Sequence, residues 1–151
     1  MKPLKQIFES REAVFAGFLI ATLGAGCVTP GGGGTELFNG KNLDGWEVTD
    51  FAGGGAIKVK DGEIHMAMGE LISGINLAHE NIPRTNYELE AEAMKLDGND
   101  FFCGLTFPVG DTFASFIPGG WGGTVVGLSS IDGMDAAENE TATFKQFKTH
   151  Q

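Results

Sequence analysis

Four Asp-Gly pairs, at 44–45, 61–62, 97–98 and 132–133, constrain this chain more than any other feature of it. Asp and Gly tolerate the positive φ angles of a two-residue hairpin turn, so each pair marks a place where a strand can reverse. The segment IKVK-DG-EIHMAM (57–68) shows the pattern most plainly. Ile57 and Val59 alternate with Lys58 and Lys60, and after the turn Ile64, Met66 and Met68 alternate with Glu63, His65 and Ala67. This reads as a β-hairpin with one apolar and one polar face.

The segment NYELEAEAMKL (86–96) sets propensity against period. Glu, Ala, Leu and Met favour helix. Yet Tyr87, Leu89, Ala91 and Ala93 alternate with Glu88, Glu90 and Glu92, a period of two rather than 3.6. A strand is therefore expected. Further strands are expected at ELFN (36–39), WEVT (46–49), LISGINLA (71–78), FFCGLTF (101–107), TFASFI (112–117) and TVVGLSS (124–130). The tail TATFKQFKTHQ fits neither period cleanly. Short strands with frequent turns, and 24 glycines in 151 residues, imply an all-β sandwich or jelly roll with no internal repeat.

The N-terminus stands apart from that pattern. Lys2, Lys5 and Arg11 precede the apolar run AVFAGFLIATLGAG (13–26), which ends at Cys27. A basic start followed by a short apolar run describes an export signal helix rather than a membrane span. Gly24, Ala25 and Gly26 before Cys27 resemble a bacterial lipoprotein lipobox, although Leu23 sits one place early. Residues 1–27 are thus expected to be a signal ending in lipidation at Cys27, with plain secretion or a retained anchor as alternatives. VTPGGGGT (28–35) would be a flexible tether, and 36–151 the folded domain. An acylated Cys27 places the domain in the cell envelope, anchored to a membrane.

The net charge of −10 leaves no electrostatic case for nucleic-acid binding. With Cys27 as anchor, Cys103 in FFCGLTF has no partner for an internal disulfide and reads as a small buried hydrophobe.

LFNGKNLDGWE (37–47) resembles the opening of the bacterial 3-keto-disaccharide hydrolase family, formerly a domain of unknown function. IKVKDGEIHM, NYELEAEAM, FFCGLTFPVGD (101–111) and GGWGGTVVGLSSIDGMDAAENET (119–141) support the resemblance. It implies a concanavalin-like jelly-roll sandwich with further strands, so the domain is expected to be incomplete at its C-terminus. It also implies a hydrolase of 3-keto-disaccharides or related glycosides. The alternative is a non-catalytic carbohydrate-binding or cell-surface interaction domain.

Such chemistry needs a base near C2 of the keto sugar, an acid near the leaving oxygen and stabilisation of an enolate. Asp132, Asp135 and Glu138, with Glu140 nearby, could serve as acid or base, and His65 as a base through its imidazole. Trp121, flanked by glycines, is the leading substrate-binding residue, because the C–H face of a sugar stacks on an indole. Asp100 and Asp111 bracket FFCGLTFPVG and are further substrate-binding candidates at one end of a sheet. A divalent cation such as calcium is conceivable in the acidic stretch, although its spacing does not match an EF-hand. The bland readings are a solvated turn for the carboxylates, a surface histidine and a core-capping tryptophan. No zinc-protease, serine-hydrolase or phosphate-loop motif is present in the sequence.

Overall fold

A computed structural model describes residues 34–79 and 81–150. The expected export signal, Cys27 and most of the expected tether lie outside the described residues. Eight strands form among the described residues: β1 (Trp46–Val48), β2 (Ile57–Lys60), β3 (Glu63–Met66), β4 (Ile75–Leu77), β5 (Leu105–Val109), β6 (Thr112–Gly120), β7 (Val125–Ser129) and β8 (Thr143–Phe144). All pairings are antiparallel, in sheets β1–β4, β2–β3 and β5–β6–β7–β8. The fold is all-β, with no helix among the described residues, consistent with a β-sandwich. None of those residues forms a helix long and apolar enough to cross a membrane.

The described residues cluster into two compact units, 34–79 with 86–92 and 81–85 with 93–150. In the first, the hairpin forms as its alternation dictates. Ile57 pairs with Met66 and Val59 with Ile64 on one face, while Lys58–His65 and Lys60–Glu63 occupy the other. Asp61 and Gly62 both take positive φ, 54° and 81°, as a tight hairpin turn requires. The LFNGKNLDGW opening is a knot of local bonds. The Asn39 side-chain oxygen accepts from the backbone N–H groups of Lys41 and Asn42, and the Trp46 indole donates to the Leu37 carbonyl at 2.8 Å. Phe38 is buried beside it in sequence, at 4% exposure.

In the second unit the core sits on one face of β7. Val125, Gly127 and Ser129 are buried, alternating with half-buried Val126 and Leu128. Ile117, Val125 and Ala136 form the buried apolar cluster. Both strand prolines sit where the ladder tolerates them: Pro108 on the edge strand β5, Pro118 at a register shift before Gly120.

Four strand expectations need correction. NYELEAEAMKL forms no ladder: exposure alternates over 87–90, then fails, with Ala91 and Ala93 exposed and Lys95 buried. Alternation specifies two faces, but a strand also needs a neighbour to take its N–H and C=O groups. ELFN is absorbed into the Asn39 turn, and only Ile75–Leu77 of LISGINLA pairs. FFCGLTF is a regular strand only from Leu105, although Phe102 already donates its N–H to the Gly119 carbonyl in the same β5–β6 register.

Candidate functional site

Trp121 stands in the loop that joins β6 to β7. Its side chain is exposed, and its φ of 42° lies in the left-handed region that disfavours a bulky residue. Gly122 and Gly123 continue in the same region, at 81° and 82°. Holding a non-glycine residue there costs on the order of 1–3 kcal/mol and persists only where surrounding contacts enforce it. The contacts come from segment 99–102. Phe101 lies 5.4 Å from Trp121, centroid to centroid, at an angle of 55°. The Asp100 carboxylate accepts from the Gly122 N–H at 2.7 Å, and the Asp100 carbonyl accepts from the buried Lys95 ammonium at 2.8 Å.

The glycines around Trp121 make that packing work. A Cβ at Gly120 would come within 2.8 Å of Ile117 and 3.0 Å of Phe101, and one at Gly119 within 3.0 Å of Phe102 and Phe147. Gly122 alone has open space where a Cβ would stand. Close approach of a ligand to the backbone is therefore available at Gly122, while Gly119 and Gly120 receive the protein's own aromatic side chains and Gly123 packs against the Asn99 and Asp100 carbonyls. Two of the expected binding residues, Asp100 and Trp121, are thus brought into one substructure. Asp111 is not: it occupies the turn between β5 and β6, the opposite end of the nine-residue strand from Trp121.

The acidic stretch folds back over β7. Ala136 is fully buried and donates its N–H to the Ser129 hydroxyl at 3.0 Å. The Asn139 side chain donates to the Leu128 and Asp135 carbonyls, at 2.7 and 2.9 Å, and accepts from the Thr141 N–H and hydroxyl. These contacts fill the space over Gly127, where a Cβ would meet Thr141 at 3.0 Å. Asp132, Asp135, Glu138 and Glu140 all point outward and are exposed. Asp132 is the first residue of a positive-φ turn with Gly133, and Glu138 accepts from the Asp135 N–H at 3.2 Å. The loop is pinned by its small and amide side chains, leaving its carboxylates to water.

His65 lies on the polar face of the β2–β3 hairpin, opposite Lys58. Its Nε2 is 3.4 Å from a Glu63 carboxylate oxygen, yet poorly aligned, so this shielded nitrogen has no hydrogen-bond partner among the described residues. Cys103 is half-buried, and burial pushes its thiol above its ordinary value, which suits an inert side chain. No group of three or more His, Cys, Asp or Glu among the described residues converges as a metal site would require.

Phe101 and Lys95 complete the Trp121 substructure without standing out in the sequence. Phe101 was visible only as one of two phenylalanines entering a strand. Lys95 carried no signal, since it sat in an alternating segment that places it nowhere near Asp100. Asn139 was hidden among the more conspicuous carboxylates.

Fold and loop together define an all-β domain that presents an exposed aromatic pair on a glycine-rich edge. The chain belongs to the 3-keto-alpha-glucoside-1,2-lyase-like domain family, which matches residues 33–127. The matched span includes His65, Asp100, Asp111 and Trp121 and ends inside β7, before Asp132, Asp135 and Glu138. No curated protein and no solved structure matches the chain. Membership gives the domain a carbohydrate-related role.

Proposed function

We propose that this is an exported domain, anchored to the cell envelope through an acylated Cys27, that binds 3-keto-disaccharides or related glycosides and cleaves them. The carrying observation is the strained, exposed Trp121 braced by Phe101, a platform of the kind that stacks on the C–H face of a pyranose. Gly122 would let a hydroxyl approach the backbone, and Asp100 is a positioning residue that holds the loop through the Gly122 N–H. Asp111, at the far end of β6, would contact only another part of a longer ligand.

The reaction follows from the ketone. A carbonyl at C3 acidifies the C2 proton; a base removes it, C1=C2 forms and the C1–O bond breaks. The departing sugar oxygen takes a proton from an acid, and addition of water across the new double bond completes net hydrolysis. His65 is the candidate base by its chemistry, and Asp132, Asp135 and Glu138 the candidate acids or bases. The three carboxylates are all exposed.

A non-catalytic sugar-binding domain is the second reading. It is favoured by the local engagement of Asp135 and Glu138 in one turn and by their lying beyond the family match. Titration calorimetry and product analysis with a 3-keto-disaccharide separate the two. Loss of about tenfold or more in affinity in Trp121→Ala is expected for either reading. Turnover in the parent chain, abolished in His65→Ala or Asp135→Asn, supports cleavage; binding without turnover supports the second reading. Unchanged affinity in Trp121→Ala removes the platform from both.

A further inference from the structure

The first unit contains a cleft that the Trp121 loop does not explain. It has a volume of about 340 Å³ and is lined among others by Thr49, Asp50, Phe51, Gly54, Ser73 and Gly74. That lies at the small end of the roughly 300–1,000 Å³ range of ligand pockets, space suited to a single sugar ring rather than a chain of them.

The cleft is held open from several sides by backbone bonds. The Phe51–Gly54 turn is closed by a 2.9 Å bond from the Gly54 N–H to the Phe51 carbonyl, and Gly53 takes a φ of 76°. Thr49 donates its N–H to the Gly74 carbonyl at 3.0 Å, and Glu70 donates to Gly53 at 2.8 Å. The Ser73 hydroxyl accepts from the Gly55 N–H at 2.8 Å and donates to the Ala67 carbonyl at 2.7 Å. A Cβ on Gly55 would lie 2.2 Å from the Ala67 carbonyl oxygen, so the backbone there is packed as closely as glycine allows. Walls tied in this way keep their shape without a ligand, which lowers the ordering cost of binding one.

The lining carries the groups that a pyranose uses. Phe51 is 37% exposed, and its ring edge lies over Gly74, 3.1 Å from where a Cβ would stand, so the ring keeps this place in the wall because Gly74 has no side chain. The exposed Asp50 carboxylate makes no hydrogen bond or ion pair among the described residues, and neither does the Thr49 hydroxyl. A partly exposed aromatic face, a free carboxylate acceptor and a free hydroxyl in one pre-shaped cleft form a recognition set for a ring with an apolar C–H face and a polyhydroxyl edge.

We infer that this cleft is a second saccharide subsite, taking one pyranose ring of a glycoside. Phe51 stacks on the ring while Asp50 accepts from a pair of ring hydroxyls and Thr49 bonds a third. The inference rests on the carbohydrate reading above, but on different residues. The test is a titration of the full chain with methyl α-glucopyranoside and with its 3-keto derivative, followed through backbone amide chemical shifts.

Saturable movement of the Gly54, Gly55 and Gly74 amides is expected with at least one of the two probes. Phe51→Ala and Asp50→Asn should each weaken that response about tenfold, and Phe51→Trp should preserve it. Trp121→Ala should leave it unchanged. Cleft amides that stay still to millimolar probe while Gly122 moves would overturn the subsite and keep the Trp121 platform. Cleft amides that move while Gly122 stays still would keep the subsite and remove the platform. A response equal in the parent, Asp50→Asn and Phe51→Ala, with all three folded by the same spectra, would also overturn it.

Discussion

The two units of this chain make their structure by different means. The first is two two-stranded ladders tied by turns, glycines and side-chain-to-backbone bonds, and Phe38 is its one buried large apolar residue among those described. The second is a four-stranded sheet with Ile117, Val125 and Ala136 at its centre and a folded-back loop locked by Asn139. Two strands alone are marginally stable in water, whereas a larger sheet with one covered face can support itself. The difference teaches that a glycine-rich β chain can be specified by backbone geometry in one place and by burial in another. Substitutions should therefore act by different physics in the two units.

The largest effect is expected at Gly55. Gly55→Ala drives a Cβ into the Ala67 carbonyl oxygen and should cost about 3 kcal/mol through forced backbone movement. Amide exchange should accelerate across β2, β3 and the 51–55 turn while β6 and β7 keep their protection. Equal acceleration in both units would break the comparison. Next comes Asn139→Ala, which strands the Thr141 N–H and leaves the Leu128 carbonyl only a long 3.5 Å bond from the Thr141 hydroxyl, while the Asp135 carbonyl keeps the Glu138 N–H. A loss of about 2 kcal/mol in denaturant unfolding is expected, read at β7.

Trp46→Phe is smaller again. It keeps most of the ring but removes the indole bond to Leu37, costing about 1 kcal/mol and loosening the 37–46 opening. Asp132→Asn should be nearly silent for stability, within about 0.5 kcal/mol, because Asn is equally at home in a positive-φ turn before glycine. Loss of turnover in that folded variant would identify a catalytic carboxylate.

The smallest effect is at Cys103. Its raised thiol means the folded chain keeps a proton that the unfolded chain releases, so its contribution to stability is intact below the ordinary thiol value of 9.0 and declines as pH rises through it. Alkylation of Cys103 should accordingly lag behind that of an unfolded control at mildly alkaline pH.

Much of the local structure was legible in the sequence because it is decided locally. The 57–66 hairpin needs only alternation and an Asp-Gly turn, and both are contiguous in the chain. β1, β6 and β7 followed for the same reason, as did the prominence of Trp121 among glycines. The segment 86–96 misled, since its alternation carried no information about a pairing partner. The carboxylates of 132–140 drew attention by charge, although the residues that fix that loop are Ala136, Asn139 and Thr141.

By itself the sequence determined the all-β class, the positions of the tight turns and the family to which the chain belongs. Period and turn chemistry are properties of neighbouring residues, and they survive without a tertiary context. Only the tertiary structure decided that Phe101 and Asp100 brace Trp121, that Asp111 stands at the other end of β6, and that Thr49, Asp50, Phe51 and Gly74 enclose a cleft. Those associations join residues far apart in the chain. They are set by which surfaces can close-pack and which backbone groups find partners, and no local pattern encodes them.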